Sequence, residues 1–319
     1  MGTSGHPGAP VAAVDCGTNS TRLLVTAADG TPLVREMRIT RLGEGVDATG
    51  ALAPAAIERT VTVLRDYRRM MDDTGVGAAR MVATSAARDA ANGGDFLAAA
   101  TEAVGVPCEL LSGDEEGRLS FTGATASLPP GLAAAERLLV VDIGGGSTEL
   151  VVGRPADPAS ARARSVDMGC VRASERYLLH DPPTAAELAD AGAGVRALLD
   201  AALGELPEVP HGGTVVGLAG TVSTLAALEF GVREYRREAL HHRVLPRAAV
   251  HAWRERLAGE DAAARLRRPG MVAGRADVIV GGVLVLDCVM DLCDLADCLV
   301  SEDDILDGMA AGLRRPPAP

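Results

Sequence analysis

Aromatic residues are scarce in this sequence and lysine is missing altogether. Phenylalanine, tyrosine and tryptophan together make up 2% of the chain. Its cores must therefore be built from alanine, valine and leucine, and few rings are on hand to stack a nucleobase. With no lysine, all 31 basic residues are arginine; they face 43 acids, for a formal net charge of −12. That balance excludes a broad nucleic-acid surface, which needs clustered positive charge. It also means that any anionic substrate must be drawn in by a local positive site against the overall field.

Long apolar runs are missing too. The longest, Val278 to Met290, is interrupted by Asp287 and is too short to span a membrane. Residues 1–10 are rich in glycine and proline without an apolar core, so a disordered tail is expected there rather than a secretory signal. The proline-rich end is expected to be disordered as well. Cysteine comes without Cys-x-x-Cys spacing: Cys16, Cys108, Cys170, Cys288, Cys293 and Cys298 read as reduced core residues of a cytoplasmic protein. What the chain does have is length, 319 residues at 47% hydrophobic, enough for two domains with real cores.

The most informative stretch runs from Leu139 to Val152. An apolar run ends in Asp142, Gly144, Gly145 and Gly146 turn, Ser147, Thr148 and Glu149 follow, and a second apolar run leaves. This reads as a β-hairpin whose glycines strip side chains from the turn, so that backbone N–H groups can meet an anion. The same grammar occurs near the start: Val11 to Asp15, then Cys16, Gly17, Thr18, Asn19 and Ser20, then Arg22 to Ala27 as the outgoing strand. Two such hairpins predict two similar half-domains. A third turn, Gly217 to Thr224, runs a strand into Gly220 and opens a helix near Thr221, another natural anion site.

Between these points the pattern alternates strands and helices. Pro32 to Thr40 reads as a strand, Arg41 to Gly50 as a loop, and Pro54 as the start of an amphipathic helix. A short strand at Met81 to Ala83 runs into Thr84 to Asn92, followed by a helix over Asp95 to Val104 and a strand from Cys108 to Leu111. Ser112 with Glu115 three residues on predicts a capping box. Glu115 then folds back onto the helix start, and Glu116, about 100° round the helix, is left to face elsewhere. Ser127 to Glu136 reads as a linker, Arg162 to Met168 as a strand, and Thr184 to Leu203 as a long helix. The run Arg233 to Arg247 is the best candidate for a positive patch, weighed against an ordinary solvated helix face, and the His241-His242 pair is a weak metal signal. A buried helix is expected to begin at Arg275, and a last one over Glu302 to Leu313, capped by Ser301.

In these stretches the sequence resembles the exopolyphosphatase/guanosine pentaphosphate phosphatase (Ppx/GppA) family in its short two-domain form. The matching segments are Asp15 to Ser20, Thr84 to Asn92, Ser112 to Leu119, Asp142 to Val152, Met168-Gly169, Gly217 to Thr224 and Arg275 to Gly282. The resemblance implies an α/β fold of two ribonuclease-H-like domains of the actin and sugar-kinase superfamily around an interdomain cleft. The expected bounds are 11–128 and 137–300, with a last helix, 302–313, returning to the first domain. It implies a hydrolase of phosphoanhydride bonds that frees orthophosphate from inorganic polyphosphate, or alternatively converts guanosine pentaphosphate to the tetraphosphate. A non-catalytic module that senses such molecules is the reading from another class. Glu116 matches the catalytic glutamate. Asp142 and Glu149 match the acids that hold magnesium. Asp15, Gly17, Thr18, Asn19, Ser20, Arg22, Arg88, Gly144, Gly145, Gly146, Ser147, Thr148, Gly220 and Thr221 match phosphate-binding positions. The implied partners are the phosphate substrate and a second copy in a homodimer, with no nucleic acid and no membrane.

Overall fold

The computed structural model describes residues 8–206 and 208–314. Residues 1–7 and 315–319, where tails are expected, lie outside the described residues. The chain divides into two compact units, 1–123 with 305–319, and 124–304.

The elements in chain order begin β1 (Val11–Cys16), β2 (Ser20–Thr26), β3 (Pro32–Ile39), α1 (Val46–Thr49), α2 (Pro54–Asp73), β4 (Ala78–Ala83), α3 (Ser85–Asp89), α4 (Gly93–Val104), β5 (Cys108–Leu110) and α5 (Gly113–Thr125). The second unit follows with α6 (Pro130–Ala133), β6 (Leu138–Ile143), β7 (Thr148–Arg154), β8 (Asp157–Val166), α7 (Cys170–Tyr177), α8 (Ala185–Gly204), β9 (Thr214–Leu218) and α9 (Ala219–Glu229). It ends with α10 (Arg237–Leu240), β10 (Val244–Pro246), α11 (Arg247–Ala258), α12 (Ala262–Leu266), α13 (Ile279–Leu292) and β11 (Asp297–Val300); α14 (Ile305–Arg314) belongs to the first unit.

The sheet of the first unit has the order β3-β2-β1-β4-β5. β1, β2 and β3 are antiparallel neighbours, and β4 and β5 run parallel to β1. The second sheet repeats this plan as β8-β7-β6-β9-β11, with β10 added at the far edge. The duplication inferred from two hairpins therefore extends to the whole sheet.

Alternation along β1 assigns its faces. Ala12, Val14 and Cys16 pack with Leu64, Tyr67 and Met71 of α2 and with Phe96 and Ala100 of α4. Val11 and Ala13 pack instead with Ile305, Leu306, Met309 and Ala310 of α14. In the second unit the strands bury Leu139, Val141 and Ile143 against α8, α9 and α13. α13 is buried along nearly its whole length, yet no described helix is long and apolar enough to cross a membrane. Its acid Asp287, deep among these apolar groups, is held by Arg254 at 2.6 Å. All six cysteines are free.

Several boundaries differ from expectation. The Arg41 to Gly50 loop contains the helical turn α1, and the Ser127 to Glu136 linker contains α6. The buried helix begins at Ile279 rather than Arg275, and α9 at Ala219 rather than Thr221. The last helix begins at Ile305, because Ser301 to Asp304 are held in a non-helical turn: the Ser301 hydroxyl donates to the Asp303 carbonyl at 2.8 Å and accepts from the Asp303 N–H at 3.2 Å. Ser301 is thus a turn residue and not a helix cap.

Within the first unit α14 crosses α5 very closely at Gly308. A Cβ built there would fall 2.1 Å from the Leu119 carbonyl oxygen, whereas one at Gly312 would meet nothing within 4 Å. Gly308→Ala should therefore destabilise by about 1–3 kcal/mol. Gly312→Ala, on the open side of the same helix, should stabilise by up to about 1 kcal/mol. Thermal denaturation of both variants checks the opposite signs; a common sign would place the crossing elsewhere.

Candidate functional site

In each unit three parallel strands end at the same sheet edge, the usual location of ligand sites in α/β sheets. In the first unit Cys16 lies level with Ala83, and Ala83 with Leu110. The Gly17 turn, the start of α3 and the start of α5 therefore leave from one edge. In the second unit Asp142 lies level with Leu218, and Val300 with Gly217, so the Gly144 turn, the start of α9 and the Ser301 turn share an edge in the same way.

Both hairpin turns close alike. The Gly17 N–H donates to the Ser20 carbonyl at 3.0 Å, and the Gly144 N–H to the Ser147 carbonyl at 3.0 Å. In both, other carbonyls of the turn are captured from behind. Thr18 O accepts from the Gly43 N–H at 2.9 Å, and Asn19 O from the N–H groups of Thr40 and Arg41 at 3.1 and 3.0 Å. Gly144 O accepts from the Cys170 N–H at 2.9 Å, and Gly145 O from the Val171 N–H at 2.9 Å. In a trans peptide the next N–H points opposite to the carbonyl. Capture of these oxygens thus turns the amides of Asn19 and Ser20, and those of Gly145 and Gly146, away from the capturing segments. Successive amides aimed one way form an anion-binding concavity. Gly169 makes the second arrangement possible, since a Cβ there would lie 2.5 Å from the Gly145 carbonyl. The Thr148 hydroxyl, donating to Met168 O at 2.6 Å, fixes the same junction.

The two hairpins differ in what stands across from the aspartate. Asp15 is opposite Arg22, and the guanidinium donates to Asp15 Oδ2 from Nε at 2.9 Å and from Nη2 at 2.6 Å. Asp142 is opposite Glu149, and both carboxylates are buried. Glu149 Oε1 accepts from the Ser165 hydroxyl at 2.7 Å. The first hairpin balances its own charge. The second places two acids side by side, an arrangement that suits a divalent cation. Magnesium commonly binds one or two carboxylates, keeps several waters and shares substrate phosphate oxygens, so this donor pair fits it.

In the first unit Arg88 and Glu116 come together. Arg88 Nη1 donates to Leu111 O at 3.0 Å and lies 3.5 Å from Glu116 Oε2. Arg88 Nη2 is buried and makes no hydrogen bond within the structure, which leaves a guanidinium donor for a ligand oxygen. The neighbouring acid is differently employed. Glu115 Oε2 accepts from the Ser112 N–H at 3.1 Å and lies 2.7 Å from its hydroxyl, while the Glu115 N–H reaches Ser112 Oγ at 3.3 Å. This is the predicted capping box, and it holds Glu115 at the helix start.

At the third turn, Ala219 takes φ +66°, a left-handed conformation rarely used by residues with a Cβ. Arg275 lies directly on Gly220: a Cβ built there would sit 1.7 Å from Arg275 Nη1. The sequence marked Arg275 as a helix start and as the first residue of a family-matching segment, without a site role; its signal was Gly220, which admits the guanidinium. Thr221 is buried, and its side chain packs on Gly282, where a Cβ would fall 2.3 Å from Thr221 Oγ1.

Part of the Arg233 to Arg247 run is engaged within its own unit, while Arg233 and Arg236 are exposed. Arg237 is paired with Asp303 and donates to Glu302 O at 2.6 Å, and Arg243 lies over the Phe230 ring at 4.9 Å. His241 and His242 stack on each other. Among the described residues no group of three or more His, Cys, Asp or Glu side chains could hold a metal by itself.

The two α/β units share one topology, each with a glycine turn at the edge where its parallel strands end. Residues 24–311 match the Ppx/GppA phosphatase family, and the chain belongs to that family. It is 43% identical over 320 residues to Exopolyphosphatase 2 of Mycobacterium tuberculosis, a match covering 95% of this chain and 98% of that one. The crystal structure of an exopolyphosphatase-like protein matches with a TM-score of 0.90 at 33% identity, covering 97% of this chain and 98% of the other. The Aquifex aeolicus family member matches with a TM-score of 0.78 at 31% identity, covering 96% and 98%.

The capping box carries a pH signature. The Ser112 hydroxyl and N–H hold the Glu115 carboxyl below its ordinary range. A depressed pKa adds stability that is complete above the unfolded value and is lost as pH falls through the folded one. Glu115 is exposed, so the contribution is discounted to below about 1 kcal/mol. Glu115→Gln should lower the melting temperature slightly at neutral pH, and the gap to the parent should close on acidification. A gap independent of pH would contradict the cap.

Proposed function

We propose that this protein hydrolyses the terminal phosphoanhydride of inorganic polyphosphate and releases orthophosphate. The observation that carries this reading is the Arg88–Glu116 pair: a carboxylate spared from capping stands beside a guanidinium with an unused donor. The 43% identical relative is named an exopolyphosphatase, which supports the same reaction for this chain.

Each group has a defined task. Glu116 accepts a proton from the attacking water, as a general base. Arg88 Nη2 donates to an oxygen of the phosphoryl group under attack and steadies the charge that develops there. In the first unit the amides of Asn19 and Ser20 with the Thr18 hydroxyl, and in the second those of Gly145 and Gly146 with the Ser147 hydroxyl, are offered to phosphate oxygens, while the Thr148 hydroxyl is spent on Met168 O and holds the turn. Gly220 and Thr221 offer the N-terminus of α9, with the Arg275 guanidinium against it, to another phosphate. Asp142 and Glu149 are the residues to hold magnesium. When bound, the ion neutralises phosphate oxygens and charge on the leaving group. These local positive features meet the requirement set by the net charge of −12. We place the reaction in the cytoplasm, consistent with six free cysteines.

Glu116→Gln keeps the shape of the side chain but cannot accept the proton. Phosphate release should fall by about 10²–10⁴-fold with polyphosphate affinity kept, while Glu115→Gln should remain active. Full activity in Glu116→Gln would remove the proposed base. In the same assay Asp142→Asn should need a higher magnesium concentration for half-maximal rate; an unchanged rate in chelator would remove the metal. Guanosine pentaphosphate, run in parallel, should be the poorer substrate, because few rings are present to hold its base.

A further inference from the structure

The chain's own duplication points to a residue not covered by the reading above. In the first unit the segment after β5 carries Glu115 and Glu116. In the second unit the matching place, after β11, is occupied by Ser301, Glu302, Asp303 and Asp304. All four are buried. Ser301 is fixed to the end of β9, its N–H donating to Gly217 O at 2.9 Å. Glu302 reaches α9 itself: the Ser223 hydroxyl lies 2.7 Å from Glu302 Oε1 and 3.2 Å from the carbonyl oxygen of Ala219. The Tyr235 hydroxyl donates to Glu302 Oε2 at 2.5 Å.

A serine hydroxyl has one proton and cannot donate to both neighbours. When Glu302 is ionised, Ser223 donates to the carboxylate and gives nothing to Ala219. When Glu302 is protonated, its O–H donates to Ser223 Oγ and the serine O–H turns to donate a hydrogen bond to Ala219 O. Ala219 is the residue held at φ +66°, beside the Gly220 amide and Arg275. We propose that Glu302 is a positioning residue for the Ala219-Gly220-Thr221 phosphate turn, acting through Ser223, and that phosphate binding there is coupled to uptake of a proton by Glu302. The proposal rests on the reading of Gly220 and Thr221 as a phosphate site.

Two effects act in the same direction. An anion at the turn disfavours a nearby negative carboxylate, and the neutral acid lets Ser223 support the strained carbonyl. Burial already pushes the Glu302 carboxyl above its ordinary range. Other charged groups face it from every side. Arg237 on α10 donates to its carbonyl, and Asp304 lies next to it in charge range. His241 Nδ1 accepts the Glu302 N–H at 3.1 Å, and Asp303 is tied to Arg237 and Ser127. By linkage, a proton taken up on binding makes affinity fall as pH rises through the Glu302 pKa.

The test uses inorganic tripolyphosphate with magnesium, titrated calorimetrically into the Glu116→Gln protein, which holds ligand without turning it over. The same titration is run on Glu116→Gln/Glu302→Gln and on Glu116→Gln/Ser223→Ala, from about pH 5 to about pH 8. The side-chain amide that Glu302→Gln introduces donates to Ser223 as the neutral acid does. Affinity of the parent should therefore fall by about fivefold more across this range than that of the Glu302→Gln protein, the worth of one hydrogen bond. Ser223→Ala should bind about fivefold more weakly at low pH and lose the part of the pH dependence that passes through Ser223, keeping only the direct repulsion by ionised Glu302. Ionisation of the ligand is common to all three proteins, so only the differences are read. Parallel profiles in an enzyme that hydrolyses polyphosphate would overturn the relay and leave the phosphatase reading standing. Diverging profiles in a protein without hydrolysis would support the relay and remove that reading. No tripolyphosphate binding at any pH would overturn both.

Discussion

Peptide planarity is the constraint on which the proposed site depends. A glycine-rich turn can present carbonyls or amides to a ligand, and only amides attract phosphate. Each unit settles the choice from behind. The N–H groups of Thr40, Arg41 and Gly43 hold the carbonyls of one turn, and the start of α7 holds those of the other. Gly43 and Gly169 stand at these junctions because no Cβ fits: one at Gly43 would fall 2.4 Å from Thr18 Cγ2, and one at Gly169 would meet the Gly145 carbonyl. The glycines within the turns supply access, while the glycines behind them supply the orientation.

Duplication of the plan allows the charges to diverge. The position across from the hairpin aspartate is Arg22 in one unit and Glu149 in the other. One exchange converts a closed ion pair into a pair of acids suited to magnesium. The segment after the last parallel strand diverges in the same way. In the first unit it opens a helix at once, so Glu115 caps and Glu116 is spared. In the second unit it stays non-helical through Asp304, and Glu302 is drawn onto Ser223 and Tyr235.

Much of this could be read from the residues. Both hairpins and the capping box that holds Glu115 on Ser112 follow from short-range rules, because turn chemistry and helix caps are decided within a few residues. The α/β class followed from the alternation of strands and helices. Other features depend on distant partners and were not legible. Ser301 looks like a helix cap, yet its hydroxyl is engaged by Asp303 and its N–H by Gly217. The arginine run from Arg233 looked like a positive patch, but Arg237 is spent on Asp303, a residue far along the chain. Arg275 gave no periodic signal, since its place is defined by the absence of a side chain at Gly220.

The orientation of the turn amides is the central claim, and amide nitrogen NMR tests it most directly. Tripolyphosphate with magnesium would be added to the 15N-labelled Glu116→Gln protein. The N–H resonances of Asn19 and Ser20 in one unit, and of Gly145 and Gly146 in the other, should each shift downfield as ligand saturates. Those of Gly17 and Gly144, already donated to Ser20 and Ser147, should move less. Saturable binding with the first four resonances unmoved would contradict the account.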